Sequence, residues 1–106
     1  MTAKVLYIPV EGAPEVREVE PKLEPLQALV GGLIEPTGIP GFKGLLLVVN
    51  EEGIIYNLLY NPRATLLAGP DQYIRGPAFV CRSKVLDNKD ASLTDAEVKE
   101  LLGRIA

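Results

Sequence analysis

This sequence predicts a single α+β domain with a mostly antiparallel sheet of about five strands, two helices and a short helical turn. Three observations carry the prediction. Short β-branched runs alternate with Gly, Pro and Asn turn signals, and two segments instead place apolar residues at helical spacing. The chain has 106 residues, enough to bury one core and too few for two.

The elements follow in order. Ala3–Val10 (AKVLYIPV) is β-branched and bounded by Pro9 and Gly12, and Glu15–Glu20 (EVREVE) reads as the solvated return of an N-terminal hairpin. Leu23–Gly32 sets Leu23, Leu26 and Val30 at helical spacing, tolerates Pro25 in its first turn and stops at paired glycines. Leu33–Ile39 is extended, with Pro36 pushing it to an edge or a loop rim. Gly44–Asn50 holds five consecutive apolar residues and predicts a central strand covered on both faces. Asn50–Gly53 (NEEG) has turn chemistry, so Ile54–Leu59 (IIYNLL) is expected to return antiparallel. Gln72–Arg82 is the last strand, interrupted at Gly76-Pro77. Finally, Thr94 and Glu97 form a capping box, Leu93 can staple to Val98, and Val98, Leu101, Leu102 and Ile105 make one apolar stripe. A helix over about 95–104 follows.

Composition narrows the chemistry. Apolar residues make up 47% and charged ones 24%, the balance of an ordinary folded domain. The longest apolar run, Leu45–Val49, is far short of the roughly 18 residues of a membrane helix, and no signal peptide opens the chain. A soluble, cytoplasmic protein without a membrane partner is expected. With one cysteine and no histidine, the chain cannot form an internal disulfide, a Cys/His zinc site, or a Ser–His or Cys–His pair. A noncatalytic protein with no cofactor and no metal is expected. Cys81, beside Val80 in an apolar strand, reads as a buried structural thiol.

The net charge of −3 argues against nonspecific binding to nucleic acid, but the charge is uneven. Residues 1–53 carry −4, residues 54–86 carry +3 from Arg63, Arg75, Arg82 and Lys84 against Asp71, and residues 87–106 carry −2. An anion-binding surface is therefore expected from the middle third. Within it, Tyr60–Pro70 (YNPRATLLAGP) admits two readings. In one, Asn61 is an N-cap and Pro62 the first residue of a short helix over 62–67, with Leu66 and Leu67 inward and Arg63 and Thr65 in water. In the other, the free amides of that helix start and the Arg63 fork hold an anion. Tyr56, Tyr60 and Tyr73, with Arg75 and Arg82, can add stacking surfaces and phosphate donors, or can sit at core margins with wet hydroxyls. The candidate ligand-binding set is Asn61, Arg63, Thr65, Tyr73 and Arg75.

Taken in order, Lys4–Glu20, Leu23–Glu35 with its LQALVGGLIE, Val49–Gly53 (VNEEG), Asn61 before Arg63-Ala64, Gly76–Val80 (GPAFV) and Ser92–Leu102 resemble the family called domain of unknown function 3846. The resemblance spans nearly the whole chain, with Pro36–Gly44 (PTGIPGFKG) as an insertion. It implies an accessory protein of a phage, plasmid or mobile element. Such a protein is expected to bind a small anionic ligand such as a signalling nucleotide, or alternatively to inhibit a host protein through the acidic surface of Glu15, Glu18, Glu20, Glu51 and Glu52. A homodimer is also expected, formed through the 33–43 loop with Ile39 and Phe42 or through a sheet face, the alternative being a monomer whose Ile39 and Phe42 fold back on its own sheet.

Overall fold

The computed structural model describes residues 1–105. Five strands, β1 (Ala3–Ile8), β2 (Glu15–Val19), β3 (Ile34–Ile39), β4 (Phe42–Asn50) and β5 (Ala78–Arg82), form one sheet in the order β2-β1-β5-β4-β3. Every pairing is antiparallel. Helix α1 (Leu23–Val30) follows the first hairpin, short α2 (Pro62–Ala68) precedes β5, and α3 (Asp95–Ile105) closes the chain after a 3-10 turn at Ser83–Asp87. The α+β class expected from the sequence is the class of the fold.

Strand alternation divides the core into two layers. Leu6 and Ile8, Leu45, Leu47 and Val49, and Ala78 and Val80 point to one face, where they meet Ala64 and Leu67 of α2 and Leu101 and Ile105 of α3. Ala3 and Val5, Val48, and Phe79 and Cys81 point to the other, beneath Leu26 and Val30 of α1 and Val85 of the 3-10 turn. Both faces of the sheet are therefore covered, and the apolar run in β4 is explained: its odd positions serve one layer and Val48 the other. The middle position of the sheet, however, belongs to β5. Leu23, expected on the buried stripe of α1, is exposed at the first helical residue.

Ile54–Leu59 and the first half of Gln72–Arg82 differ from the strands expected. Ile54–Leu59 is not a strand but a run of turns, in which the Tyr56 N–H donates to the Glu52 carbonyl, the Asn57 N–H to Ile54 and the Leu58 N–H to Gly53. The reason lies in the partner strand: β3 and β5 occupy both edges of β4, so no ladder is left for a returning segment. The extended segment from Leu33 takes the edge position that Pro36 led one to expect. It pairs with β4 from Ile34 to Ile39 and turns through Pro40-Gly41, with Gly41 at φ +87° supplying the left-handed position after proline. This hairpin folds Ile39 and Phe42 into the core, with Arg104 of α3 stacked at 4.6 Å over the Phe42 ring. The dimer surface expected from Ile39 and Phe42 therefore has no exposed apolar side chain at either residue.

The strand expected over Gln72–Arg82 is regular only from Ala78, because Gly76 takes φ +88° and Pro77 has no N–H to donate. Before that point a single bridge pairs Tyr60 with Arg75. The C-terminal helix has the capping box read from the sequence: the Glu97 N–H donates to Thr94 Oγ1 at 3.1 Å, and the Thr94 N–H donates to Glu97 Oε1 at 2.8 Å.

Candidate functional site

The short helix α2 is capped by Asn61, whose Oδ1 accepts from the Ala64 N–H at 3.1 Å. The same side chain does more than cap. Asn61 is fully buried, and its Nδ2 donates to the carbonyls of Ile8 and Gly76, each at 3.0 Å. Its backbone N–H donates to the Ile74 carbonyl, and its own carbonyl accepts from the N–H and the hydroxyl of Thr65. Every polar group of Asn61 is thus engaged with protein, tying β1, α2 and the approach to β5 at one point. The Thr65 hydroxyl is also occupied, since it accepts from the Ile74 N–H at 3.0 Å. Arg63 reaches away from the helix start to the Gly12 carbonyl of the β1–β2 turn at 3.1 Å. The seven-residue helix is consequently a structural joint, and Asn61 and Thr65 present no free donor to a ligand.

The remaining two candidates do come together. Tyr73 stacks on Tyr60, with ring centroids 4.5 Å apart and planes inclined by 25°, and the Arg75 guanidinium lies 5.1 Å from the Tyr73 ring. Both rings are exposed. Arg75 Nη1 donates to Asn57 Oδ1 and to the Leu58 carbonyl, each at 3.0 Å, which fixes the guanidinium beside the rings. Next to Tyr60 opens a cleft of about 440 Å³, lined by Pro62, Thr65, Leu66, Gly69 and Pro70. Leu66, expected to pack inward, is instead exposed on this wall, because Leu67 and Ala68 take the buried side of α2. The cleft has the size and the apolar walls of small-molecule sites, with a ring pair and a cation at its margin.

The other charges are dispersed. Arg82 pairs with Glu97 of α3 and donates to the Ser92 carbonyl, and Lys84 sits on the 3-10 turn over the opposite layer. The positive middle third of the sequence is therefore not one positive surface. Nor do the acidic residues gather: Glu15 and Glu18 lie on edge strand β2, where Glu15 pairs with Arg17, whereas Glu51 and Glu52 follow β4, on the β3 side of the sheet. Cys81 is buried, and that burial pushes its thiol up to about 12, which leaves no thiolate at neutral pH. Among the described residues, no cluster of Cys, Asp or Glu has the spacing of a metal site.

Sequence reasoning named Tyr60 and Tyr73 as stacking residues but could not place them on each other. They are thirteen positions apart, and only the turn at Gly69-Pro70 and the Tyr60–Arg75 bridge return one to the other. Leu66 and the Gly69-Pro70 wall were not legible as a site, since both read equally well as a helix and its stop.

Fold and site define the class: a small antiparallel α+β domain with an apolar surface cleft beside a stacked tyrosine pair and a capped joint. The chain belongs to the family described as Domain of unknown function (DUF3846), whose model matches residues 1–106. No curated protein and no solved structure matches it. The motifs that carried the family resemblance turn out to pair with one another. Asn50 of VNEEG donates from Nδ2 to the Val30 carbonyl of LQALVGGLIE at 3.1 Å and accepts from the Glu52 N–H, and Gly32 leaves room for it, since a Cβ there would lie 2.9 Å from Nδ2. Asn61 holds Gly76 of GPAFV, and Gly53 packs on the Arg75 carbonyl, which a Cβ would approach to 2.7 Å. These motifs are joints of the fold.

Proposed function

We propose that the protein is a noncatalytic accessory protein of a phage or mobile element that binds and sequesters a small anionic ligand with a planar ring, such as a signalling nucleotide. One observation supports the reading: the exposed Tyr60–Tyr73 stack, with Arg75 fixed at its edge and an apolar cleft alongside. A base stacks on the outer ring face or enters the cleft, and the guanidinium meets its phosphate. Arg75 is well suited to this, because Nη1 is committed to the loop while Nε and Nη2 have no protein partner among the described residues. The genomic setting rests on the sequence resemblance alone.

Calorimetry against mono-, di- and cyclic nucleotides tests the proposal. Tyr73→Ala is expected to weaken binding about 10- to 100-fold, the worth of one stacked base, and Arg75→Gln to weaken phosphorylated ligands but not the bare nucleoside. Recovery of the ligand chemically unchanged after long incubation separates sequestration from turnover. Absence of heat with every nucleotide rejects the reading.

A further inference from the structure

We propose that the base of the ligand is a guanine, read at its Watson–Crick edge by the Glu35 and Glu51 carboxylates in a second pocket on the Tyr73 side of the ring pair; this rests on the proposal that the protein binds a nucleotide. Tyr60 lines the apolar cleft, whereas Tyr73, stacked on it, lines a smaller pocket of about 130 Å³ together with Glu35, Glu51, Gln72 and Arg75. Sites that enclose a whole small molecule are several-fold larger, so this pocket takes the edge of one planar ring.

The edge of the sheet brings the two carboxylates to this pocket. Glu35 of β3 pairs with Val49 of β4, and the Glu51 N–H carries the ladder one step further by donating to the Leu33 carbonyl at 2.8 Å. Strand alternation then sets Glu35, Val49 and Glu51 on one face, with the two carboxylates as diagonal neighbours. Among the described residues neither carboxylate has a hydrogen bond or an ion pair. Arg75 lines the same pocket, but its Nη1 donates to Asn57 and Leu58 instead. Asn50, also in the lining, is engaged at both ends of its carboxamide. What the pocket leaves open is a pair of groups that only accept, with the Gln72 amide and the remaining N–H groups of Arg75 as donors beside them.

A base edge rich in donors answers that lining. Guanine presents N1–H and its N2 amino group side by side, which a carboxylate accepts with both oxygens, and O6 as an acceptor for Gln72 or Arg75. Adenine presents an acceptor at N1 beside its amino group, and a carboxylate opposite that acceptor repels it. The cleft beside Tyr60 cannot draw the distinction. Its Thr65 hydroxyl is engaged with Asn61 and Ile74, and apart from the Tyr60 hydroxyl no other polar side chain lines it. A metal ion is the poorer occupant of the second pocket, since two carboxylates supply too few oxygens and stand beside a fixed guanidinium.

Calorimetry of the full chain with matched guanine, hypoxanthine and adenine nucleotides, each as the monophosphate, the diphosphate and the cyclic form, tests the inference. Guanine is expected to bind at least about 10-fold more tightly than adenine, the worth of one charge-assisted hydrogen bond, with hypoxanthine, which keeps N1–H and lacks the amino group, between them. Glu35→Gln combined with Glu51→Gln is expected to keep the circular dichroism of the wild type, since both side chains are exposed, and to bring guanine down to the adenine affinity. Arg75→Gln weakens all three bases instead. Equal binding of guanine and adenine nucleotides overturns the inference and leaves nucleotide binding standing, and so does a guanine preference that survives the double substitution. Absence of binding by every nucleotide removes the nucleotide proposal itself, and this inference with it.

Discussion

Tyr60 and Asn61 are neighbours in the chain, yet Tyr60 opens to solvent against Tyr73 while Asn61 is fully buried with its carboxamide bonded to three backbone groups. The same contrast holds for the segments on either side. Residues 54–60 are mostly apolar and, Leu58 apart, exposed; in residues 61–68, Asn61 and Thr65 form a joint whose side-chain polar atoms are engaged. In a small domain the hydrogen-bonding groups of an irregular connection must find partners, and a buried asparagine with two donors and an acceptor can satisfy several at once. Asn61 and Thr65 are therefore engaged internally, and the surface left open is the Tyr60–Tyr73 pair with Arg75 and its apolar surroundings.

The contrast can be broken at its strongest point first. Asn61→Ala strands the carbonyls of Ile8 and Gly76 and the N–H of Ala64, and is expected to cost on the order of 3–5 kcal/mol in urea unfolding, a large share of the stability of a domain this size. Asn61→Asp does not rescue it, because a carboxylate supplies no donor to either carbonyl. A fully stable Asn61→Ala protein would return Asn61 to the list of ligand groups and erase the distinction.

The second comparison sets Phe42, the first residue of β4, against Ile55 in the run of turns after it. Phe42→Ala empties a site in the core beneath Arg104 and is expected to cost about 3 kcal/mol. If Phe42→Ala were as mild as a change at Ile55, the hairpin through Pro40-Gly41 would not be packed as described.

A smaller effect concerns the C-terminal helix, whose cap was legible in full. Burial pulls the Glu97 carboxyl upward, but the Thr94 N–H and the Arg82 guanidinium outweigh it and hold the group below its ordinary value of 4.5. A carboxylate with a depressed native pKa contributes stability that is fully present above 4.5 and is lost as pH falls through the native value. The wild type should therefore lose more stability between pH 5 and the acid range than Glu97→Gln does, read as a steeper fall of the urea midpoint with pH. Equal acid limbs in the two proteins would remove the cap from the account. The smallest change is expected at Ile54→Thr: within about 0.5 kcal/mol of wild type in urea unfolding, since the side chain is exposed.

The sequence by itself determined what local physics controls. Residue type and spacing suffice for the capping box of Thr94 and Glu97, the Asn61-Pro62 helix start, the stop of α1 at Gly31, the edge position of the Pro36 strand and the buried thiol of Cys81. These depend on neighbours within one or two turns, or on a single residue's inability to donate or ionise. Tertiary structure alone decided which segments compete for one edge. Ile54–Leu59 has the composition of a strand, but β3 claims the free side of β4, and a segment without a ladder must satisfy its amides in turns and leave its side chains outside. Likewise the stacking of Tyr60 on Tyr73 and the burial of Phe42 come from chain reversals at Gly69-Pro70 and Pro40-Gly41, whose partners are set by packing across the sheet rather than by any property of the residues that meet.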